Sequence, residues 1–481
     1  MAAAEGPRPG FLGNINKDQE AKLQKLWSIL LKATDTASAE TATNGSAEPT
    51  SPTPQSPPAR RSSLLSRTQS NVSDNSIPTP TTPYQKNIMA SLTQLGVAAQ
   101  ESRMIQKALE QITPGELRTG ILDTLKHDHP DAMLLRFLRA RKWDICKAFA
   151  MMMEAIVWRM KEMHVDDDVM AKGELHALKQ SKNTASAGDQ KAGKDFLAQM
   201  RMGKSYVHGT DNIGRPVVVI RVRLHKPGAQ SEETLERYIV HVIESVRLTL
   251  RGSIETAAVV FDMTGFGLSN MEYPPVKFIL KCFEANYPES LGIMLIHNAP
   301  WVFSGIWKLI RGWMDPDIAA KVNFTNNVND LAKFIPRNQI PKELGGDEAW
   351  EYEYIEPKDD ENKTMQDTTT RDALTREREQ IGGEFLATTE EWIEASKSKD
   401  QTKIQAAESQ RAYQAERLRV NYWKLDPYVR ARLCLDRMRV IQGEGKIDFY
   451  PKAEPVPEAG KASDIEHVEK VNGNGAQTVA A

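Results

Sequence analysis

Large apolar residues recur at helical spacing in residues 16–33, where Leu23, Leu26, Trp27, Leu30 and Leu31 share one side. One amphipathic helix docked on the rest of the chain is predicted for residues 1–33. Residues 34–85 are rich in Ser, Thr and Pro and poor in large apolar side chains. Such a segment cannot bury enough apolar area to offset its chain entropy, so a disordered linker is predicted. From about Ile88 the pattern becomes globular. His129-Pro130-Asp131 reads as a helix start, and Leu134, Leu135 and Leu138 form the stripe behind it. Asp144 is placed to cap the next helix, which carries Ala148, Met151, Met152, Ala155 and Trp158. These elements predict a helical lobe over 98–182, followed by a polar, glycine-containing loop at 183–195.

The period then changes. Residues 217–222 are rich in β-branched side chains and follow Gly214-Arg215-Pro216. Residues 232–251 place Leu235, Ile239, Val242, Ile243 and Val246 on one helical side. Short apolar strands are predicted at 257–261 and 293–296, with a helix at 275–286 between them. This alternation predicts an α/β domain over 196–357 with a largely parallel sheet. Beyond it, 358–450 is a charged helical extension. It holds a polar helix or loop at 370–395 with Phe385, Leu386 and Trp392. A long helix at 404–440, broken near Pro427, carries Tyr413, Leu418, Tyr422, Trp423 and Leu425. The extension either wraps the domain or binds a partner, and 451–481 is predicted to be disordered.

Composition narrows the function classes. The 481 residues allow one large domain with flanks, or two or three domains. A formal net charge of -2 argues against a nucleic-acid partner. Cys146, Cys282 and Cys434 are odd in number and far apart, which fits a reducing compartment and offers no metal-ligand spacing. The N-terminus shows no basic-then-apolar signal, Ala2 excludes N-myristoylation, and no run of eighteen apolar residues is present. The expected location is cytoplasmic, peripheral on membranes.

No phosphate loop, nucleophile elbow or paired-histidine zinc motif is present, so an enzyme reading has no constellation to stand on. No catalytic residue, metal or cofactor is expected. His127 and His129 read as a solvated loop before a helix, and His297 as a hydrogen-bonded core residue. Arg60-Arg61-Ser62-Ser63 and Arg67-Thr68-Gln69-Ser70 have the spacing of basophilic kinase sites, a pattern common by chance.

Residues 302–314 combine Val302, Phe303, Ile306, Trp307, Leu309, Ile310, Trp313 and Met314 with Lys308 and Arg311. A core helix shows the same apolar density. Two tryptophans beside two cations favour a helix that meets a membrane interface, with Val302, Phe303, Ile306, Trp307, Ile310 and Trp313 as the gate and membrane-contact set.

Three separated segments complete the picture: Leu134 through Arg141-Lys142-Trp143-Asp144, Gly214-Arg215-Pro216-Val217-Val218-Val219, and Tyr287-Pro288-Glu289 through Asn298-Ala299-Pro300-Trp301 to Asp315-Pro316. In order and spacing they resemble the CRAL-TRIO lipid-binding family, and within it the fungal phosphatidylinositol-transfer proteins of the CSR type. The likeness covers roughly residues 100–357. It implies an α/β CRAL-TRIO fold: an N-terminal helical lobe plus a mixed, mostly parallel sheet, with a lipid pocket closed by a gate helix. It also implies non-catalytic binding and transfer of phosphatidylinositol, with a headgroup site at Arg141, Lys142, Glu289 and Lys321.

Ile318 stands where the family places a phosphate-binding threonine, and Val207 and Val218 stand where two choline-caging tyrosines are expected. Tyr206 is adjacent but points to the other face of a strand. Phosphatidylcholine is therefore expected to bind poorly. Ile340-Pro341-Lys342-Glu343-Leu344 with Gly345-Gly346 resembles the family's closing motif. Implied partners are phosphatidylinositol, a second lipid or sterol, a transient membrane surface and a lipid kinase, with no nucleic acid. The rival reading is a lipid-sensing scaffold that presents phosphatidylinositol to a partner enzyme without bulk transfer.

Overall fold

The computed structural model describes residues 8–36 and 82–452. The linker expected at 34–85, with its kinase-like serines, and the tail expected at 451–481 lie almost entirely outside the described residues.

Helix α1 (Lys17–Ala33) starts at a reciprocal Asn16–Gln19 cap. It buries Leu23, Leu26, Trp27 and Leu30 against the helical lobe, so the expected stripe is its docking face. The lobe itself comprises α2 (Pro83–Thr93), α3 (Ala99–Leu109), α4 (Pro114–Leu125), α5 (Pro130–Ala140) and α6 (Ile145–Val157). Two π-helical turns, Trp158–Glu162 and Val165–Met170, then lead into α7 (Ala171–Lys182).

The loop expected at 183–195 is mostly helix: α8 spans Ala187–Arg201 and is capped by the Ser186 side chain. Its glycine reports close packing rather than a turn. A Cβ at Gly193 would lie 2.5 Å from Ala177 O and 2.6 Å from Ser181 N, both backbone atoms of α7. The apolar anchors Phe196, Leu197 and Met200 come only in its second half. His127 and His129 are not solvated either. His127 Nε2 sits 2.9 Å from Leu250 O, and His129 Nδ1 accepts the Asp131 N–H at 3.1 Å. Burial holds both imidazoles below their ordinary pKa.

Five strands form one sheet in sequential order: β1 (Ser205–Thr210), β2 (Pro216–Arg221), β3 (Ala257–Asp262), β4 (Leu291–His297) and β5 (Val322–Thr325). The β1–β2 pair is an antiparallel hairpin and the remaining pairs are parallel. Helices α9 (Glu232–Arg247), α10 (Tyr273–Lys281), α11 (Phe303–Arg311) and α12 (Pro316–Ala319) occur along the crossovers. β5 does alternate, as Val322-Asn323-Phe324-Thr325, but it is only four residues long and its Phe324 is 45% exposed while Thr325 is buried, so a sequence reading does not register it. Strict period two divides the strands between the faces. Val217, Val219, Ala258, Val260 and Leu295 pack against Leu331, Ile335, Ile340 and Leu344. Val207, Val218, Val259, Met294 and Ile296 point to the other side. His297 Nδ1 meets Thr325 Oγ1 at 2.9 Å in the core, as expected of it.

A further short helix, α13 (Val328–Leu331), precedes the extension, which folds as a long hairpin of α14 (Thr368–Ser398) and α15 (Gln401–Val429). It wraps the lobe: Ile381, Phe385, Trp392 and Leu418 share one apolar cluster with α1. The break expected near Pro427 falls at Arg430, because a proline in the last turn removes a single helical hydrogen bond. A short α16 (Cys434–Arg437) follows.

Candidate functional site

The face of the sheet turned away from Leu331 and Ile335 is not packed solid. Val218, Val259, Met294 and Ile296 form the floor of a cavity. Leu235, Ile239, Val242 and Val246 of α9 make one wall. Its cover is α10 with Val276 and Ile279, and α11 with Phe303, Trp307 and Ile310. The cavity volume is about 210 Å³. Apolar and aromatic side chains make up most of its lining, with a few polar groups among them, as in a site for an apolar ligand.

The expected gate set divides in the structure. Val302 caps α11, while Phe303, Ile306 and Ile310 are buried and Trp307 lines the cavity in their company. Trp313 packs edge-on against Tyr273 of α10 at 5.5 Å, with Lys277 Nζ 4.8 Å above its ring. The apolar groups that face solvent are others: Trp301 is 88% exposed and Leu309 46%. Lys308 and Arg311 are exposed on the same helix. Trp301 lies outside the expected set because it precedes the helical repeat, and only the fold shows that none of the described residues covers it.

The four expected headgroup residues are partly gathered. Lys321 Nζ lies 3.5 Å from Glu289 Oε1, with both side chains about one-fifth exposed. Glu289 holds a left-handed backbone, φ 55°. Neither residue of the pair lines the cavity itself: the lining residues beside it are Ser290, next to Glu289, and Met294, whose N–H donates to Lys321 O at 2.9 Å. Lys142 Nζ reaches Asp317 Oδ2 at 3.8 Å, four residues before Lys321, and its side chain is 79% exposed. Arg141 stands apart: its Nη1 donates to Ala140 O, and its charge bears on Glu154 of α6. Ile318 is buried. An exposed pair such as Lys142–Asp317 contributes about 0–1 kcal/mol to stability, so it is not what holds the fold.

Val207 and Val218 sit directly opposite one another across the β1–β2 hairpin, on the cavity side. The Tyr206 hydroxyl lies on the other face and donates to Glu343 Oε1 at 2.6 Å.

At one end of the cavity is a polar cluster that no motif announces: Lys204, His225, Asn270 and Glu272 all line it. Lys204 Nζ donates to Gln199 Oε1 at 3.0 Å and Gln230 Oε1 at 3.1 Å, and sits 3.3 Å from His225 Nδ1. His225 Nε2 meets Glu272 Oε2 at 2.8 Å. Burial pushes the Lys204 ammonium down to about 8, against a weaker upward pull from Glu272.

With this geometry in place, the chain's relatives can be named. Residues 200–346 match the CRAL/TRIO domain and residues 104–154 the CRAL/TRIO, N-terminal domain. The CRAL-TRIO domain-containing protein C3H8.02 of Schizosaccharomyces pombe is 40% identical over 337 residues, 70% of this chain and 71% of that protein. The chain belongs to the CRAL-TRIO family. The phosphatidylinositol transfer protein CSR1 of Eremothecium gossypii is 40% identical to this CRAL-TRIO chain over 313 residues, 65% of this chain and 68% of its own. The Sec14 cytosolic factor of S. pombe is 28% identical over 232 residues, 45% of this chain and 74% of its own. The two CRAL-TRIO matches include β1–β5 and the covering helices α10 and α11, and leave the α14–α15 hairpin outside. Among the described residues no helix is long and apolar enough to cross a membrane.

Proposed function

We propose that this chain binds phosphatidylinositol in its cavity and exchanges it between membranes without catalysing a reaction. The cavity itself carries the reading: an apolar space beneath two helices, in a chain 40% identical to a phosphatidylinositol transfer protein. Burying acyl chain yields about 0.8 kcal/mol per CH₂ in a protein cavity, much as it does in a bilayer. Exchange is then close to neutral, and the barrier is the passage of chains through water. A cover that opens at the membrane removes that barrier. The exposed Trp301 and Leu309, with Lys308 and Arg311, give α11 the surface for it: apolar rings for the interface and cations for anionic headgroups.

In this reading Glu289 and Lys321 are headgroup residues at the rim. The carboxylate accepts inositol hydroxyls and the ammonium meets the phosphate. Lys142 joins them once its exposed side chain leaves Asp317, and Arg141 joins by reorienting from Ala140 O. Phosphatidylcholine finds valines at 207 and 218, which offer no ring face to a quaternary ammonium. The test is transfer of labelled phosphatidylinositol between donor and acceptor vesicles. Transfer well above the protein-free rate is expected. A chain that holds phosphatidylinositol yet never accelerates its movement would instead be the non-transferring scaffold.

A further inference from the structure

Three cations line the cavity: Lys204, Arg221 and Arg247. Arg221 pairs with Glu343 at 2.8 Å, and Arg247 with Glu244 at 3.2 Å and Asp128 at 3.8 Å. Lys204 is 5% exposed, and its close partners are two glutamine oxygens and an imidazole. These acceptors satisfy its hydrogen bonds but not its charge. Because the ammonium has only donors to offer, His225 accepts at Nδ1 and donates from Nε2 to Glu272. Glu272 thus lies beyond the imidazole, on its far side from Lys204. Buried charges are ordinarily paired, since an ion without a counterion is costly to desolvate.

Resting on the reading of this space as a lipid cavity, we propose that Lys204 is the anchor for an anionic head carried by a single-chain lipid, with the tail lying along the apolar wall of α9. The head is a carboxylate or a phosphate monoester. One of its oxygens replaces Gln230 Oε1 at Nζ. Gln230 follows exposed residues 226–229 and is the acceptor freest to withdraw. Asn270 fixes the surrounding loop by donating to Arg223 O at 3.1 Å and His225 O at 2.9 Å. The subsite is separate from the rim group Glu289–Lys321, and its chemistry is opposite to that of a choline cage. The depressed pKa of Lys204 agrees with a charge that lacks its partner.

The experiment uses the full chain stripped of co-purified lipid and compares oleate, oleyl phosphate and oleyl alcohol by calorimetric titration at pH 7. The tail is held constant, so any preference belongs to the head. At least one anion is expected to bind tenfold or more tightly than the alcohol, and the two anion arms tell carboxylate from phosphate. Lys204→Met is expected to erase the preference with alcohol binding kept, and Lys204→Arg to preserve it. Equal wild-type affinity for all three ligands overturns the proposal, whether or not the variants fold. So does an anion preference that survives in Lys204→Met. Phosphatidylinositol transfer is measured on the same preparation. Transfer without anion preference removes only the Lys204 subsite, whereas anion preference without transfer removes only the carrier reading.

Discussion

Trp27 Nε1 donates to Asp131 Oδ1 at 2.7 Å, and the same oxygen accepts from Arg411 Nη2 at 2.6 Å. One buried carboxylate thereby joins the N-terminal helix α1, lobe helix α5 and the C-terminal hairpin. Removing it strands a buried guanidinium, which typically costs about 3–5 kcal/mol. Asp131→Ala is expected to lower the unfolding free energy by about that amount in urea titration. Burial alone would raise the Asp131 pKa, but Arg411 and His129, with the hydrogen bonds from Arg411 and Trp27, outweigh it and leave it below 3.8. A lowered carboxylate contributes stability above its unfolded pKa and loses it as pH falls through the folded value. Wild type should therefore lose stability more steeply than Asp131→Asn on acidification below about pH 4.

The expected headgroup charges should act chiefly on transfer. Reversing Arg141, Lys142 and Lys321 together to glutamate is expected to abolish phosphatidylinositol transfer. Lys321→Glu alone is expected to slow it about ten- to hundredfold, the equivalent of roughly 1.5–3 kcal/mol for a charged hydrogen bond. Lys142→Glu should leave the melting temperature close to that of wild type, because its side chain is 79% exposed. Lys321→Glu should lower it by placing a second carboxylate beside Glu289, and Lys321→Gln separates loss of the ammonium from that repulsion. A triple variant that transfers at the wild-type rate would dismiss this headgroup site.

Exposure of Trp301 and Leu309 predicts a separation of binding from docking. Each full burial of such a side chain contributes about 1.5–3 kcal/mol. Trp301→Ser with Leu309→Ser should weaken vesicle co-sedimentation by at least tenfold, roughly the effect of losing one such burial. Lipid already in the cavity should remain, as native mass spectrometry would report. Substitutions at the cavity-lining Phe303 and Ile310 are expected to behave in the opposite way, losing bound lipid first.

Val207 and Val218 stand opposite one another on β1 and β2, and in the proposed function a headgroup preference depends on them. In matched vesicle assays phosphatidylcholine is expected to move at least about tenfold more slowly than phosphatidylinositol, the loss of a cation–π cage contributing of order 1–2 kcal/mol. Comparable rates for the two lipids would refute the reading.

Gly193 gives a test of the α7–α8 hairpin. A methyl there would press on the Ala177 carbonyl and the Ser181 amide, backbone atoms that cannot rotate away. Gly193→Ala is expected to cost about 1–3 kcal/mol of stability, even though alanine is the better helix former. Thermal melts compare it with Gly188→Ala, where the added methyl meets nothing.

The sequence was most legible where one face of an element is buried and the other is not. Leu23, Leu26, Trp27 and Leu30 of α1 announce their helix because its polar side stays in water. The strands at 216–221, 257–262 and 291–297 announce themselves as short β-branched or apolar runs, since a sheet covered on both faces buries successive residues. Helix α8 failed that test. Its polar first half and two glycines read as a loop, and what makes Gly193 helical is a neighbouring helix too close for any side chain.

What the chain determined alone is therefore the order of the three central strands and of the helices with a clear apolar side, the apolar segment that becomes α11, and the three motifs of its family, all local properties of period and residue type. Tertiary structure decided the rest. It turned Phe303 and Ile310 inward and left Trp301 outside, set Lys321 beside Glu289, and enclosed Lys204 without a carboxylate at its side. Each of these depends on which surfaces meet across long stretches of chain. Periodicity carries no record of that, because burial and charge pairing belong to the packed whole.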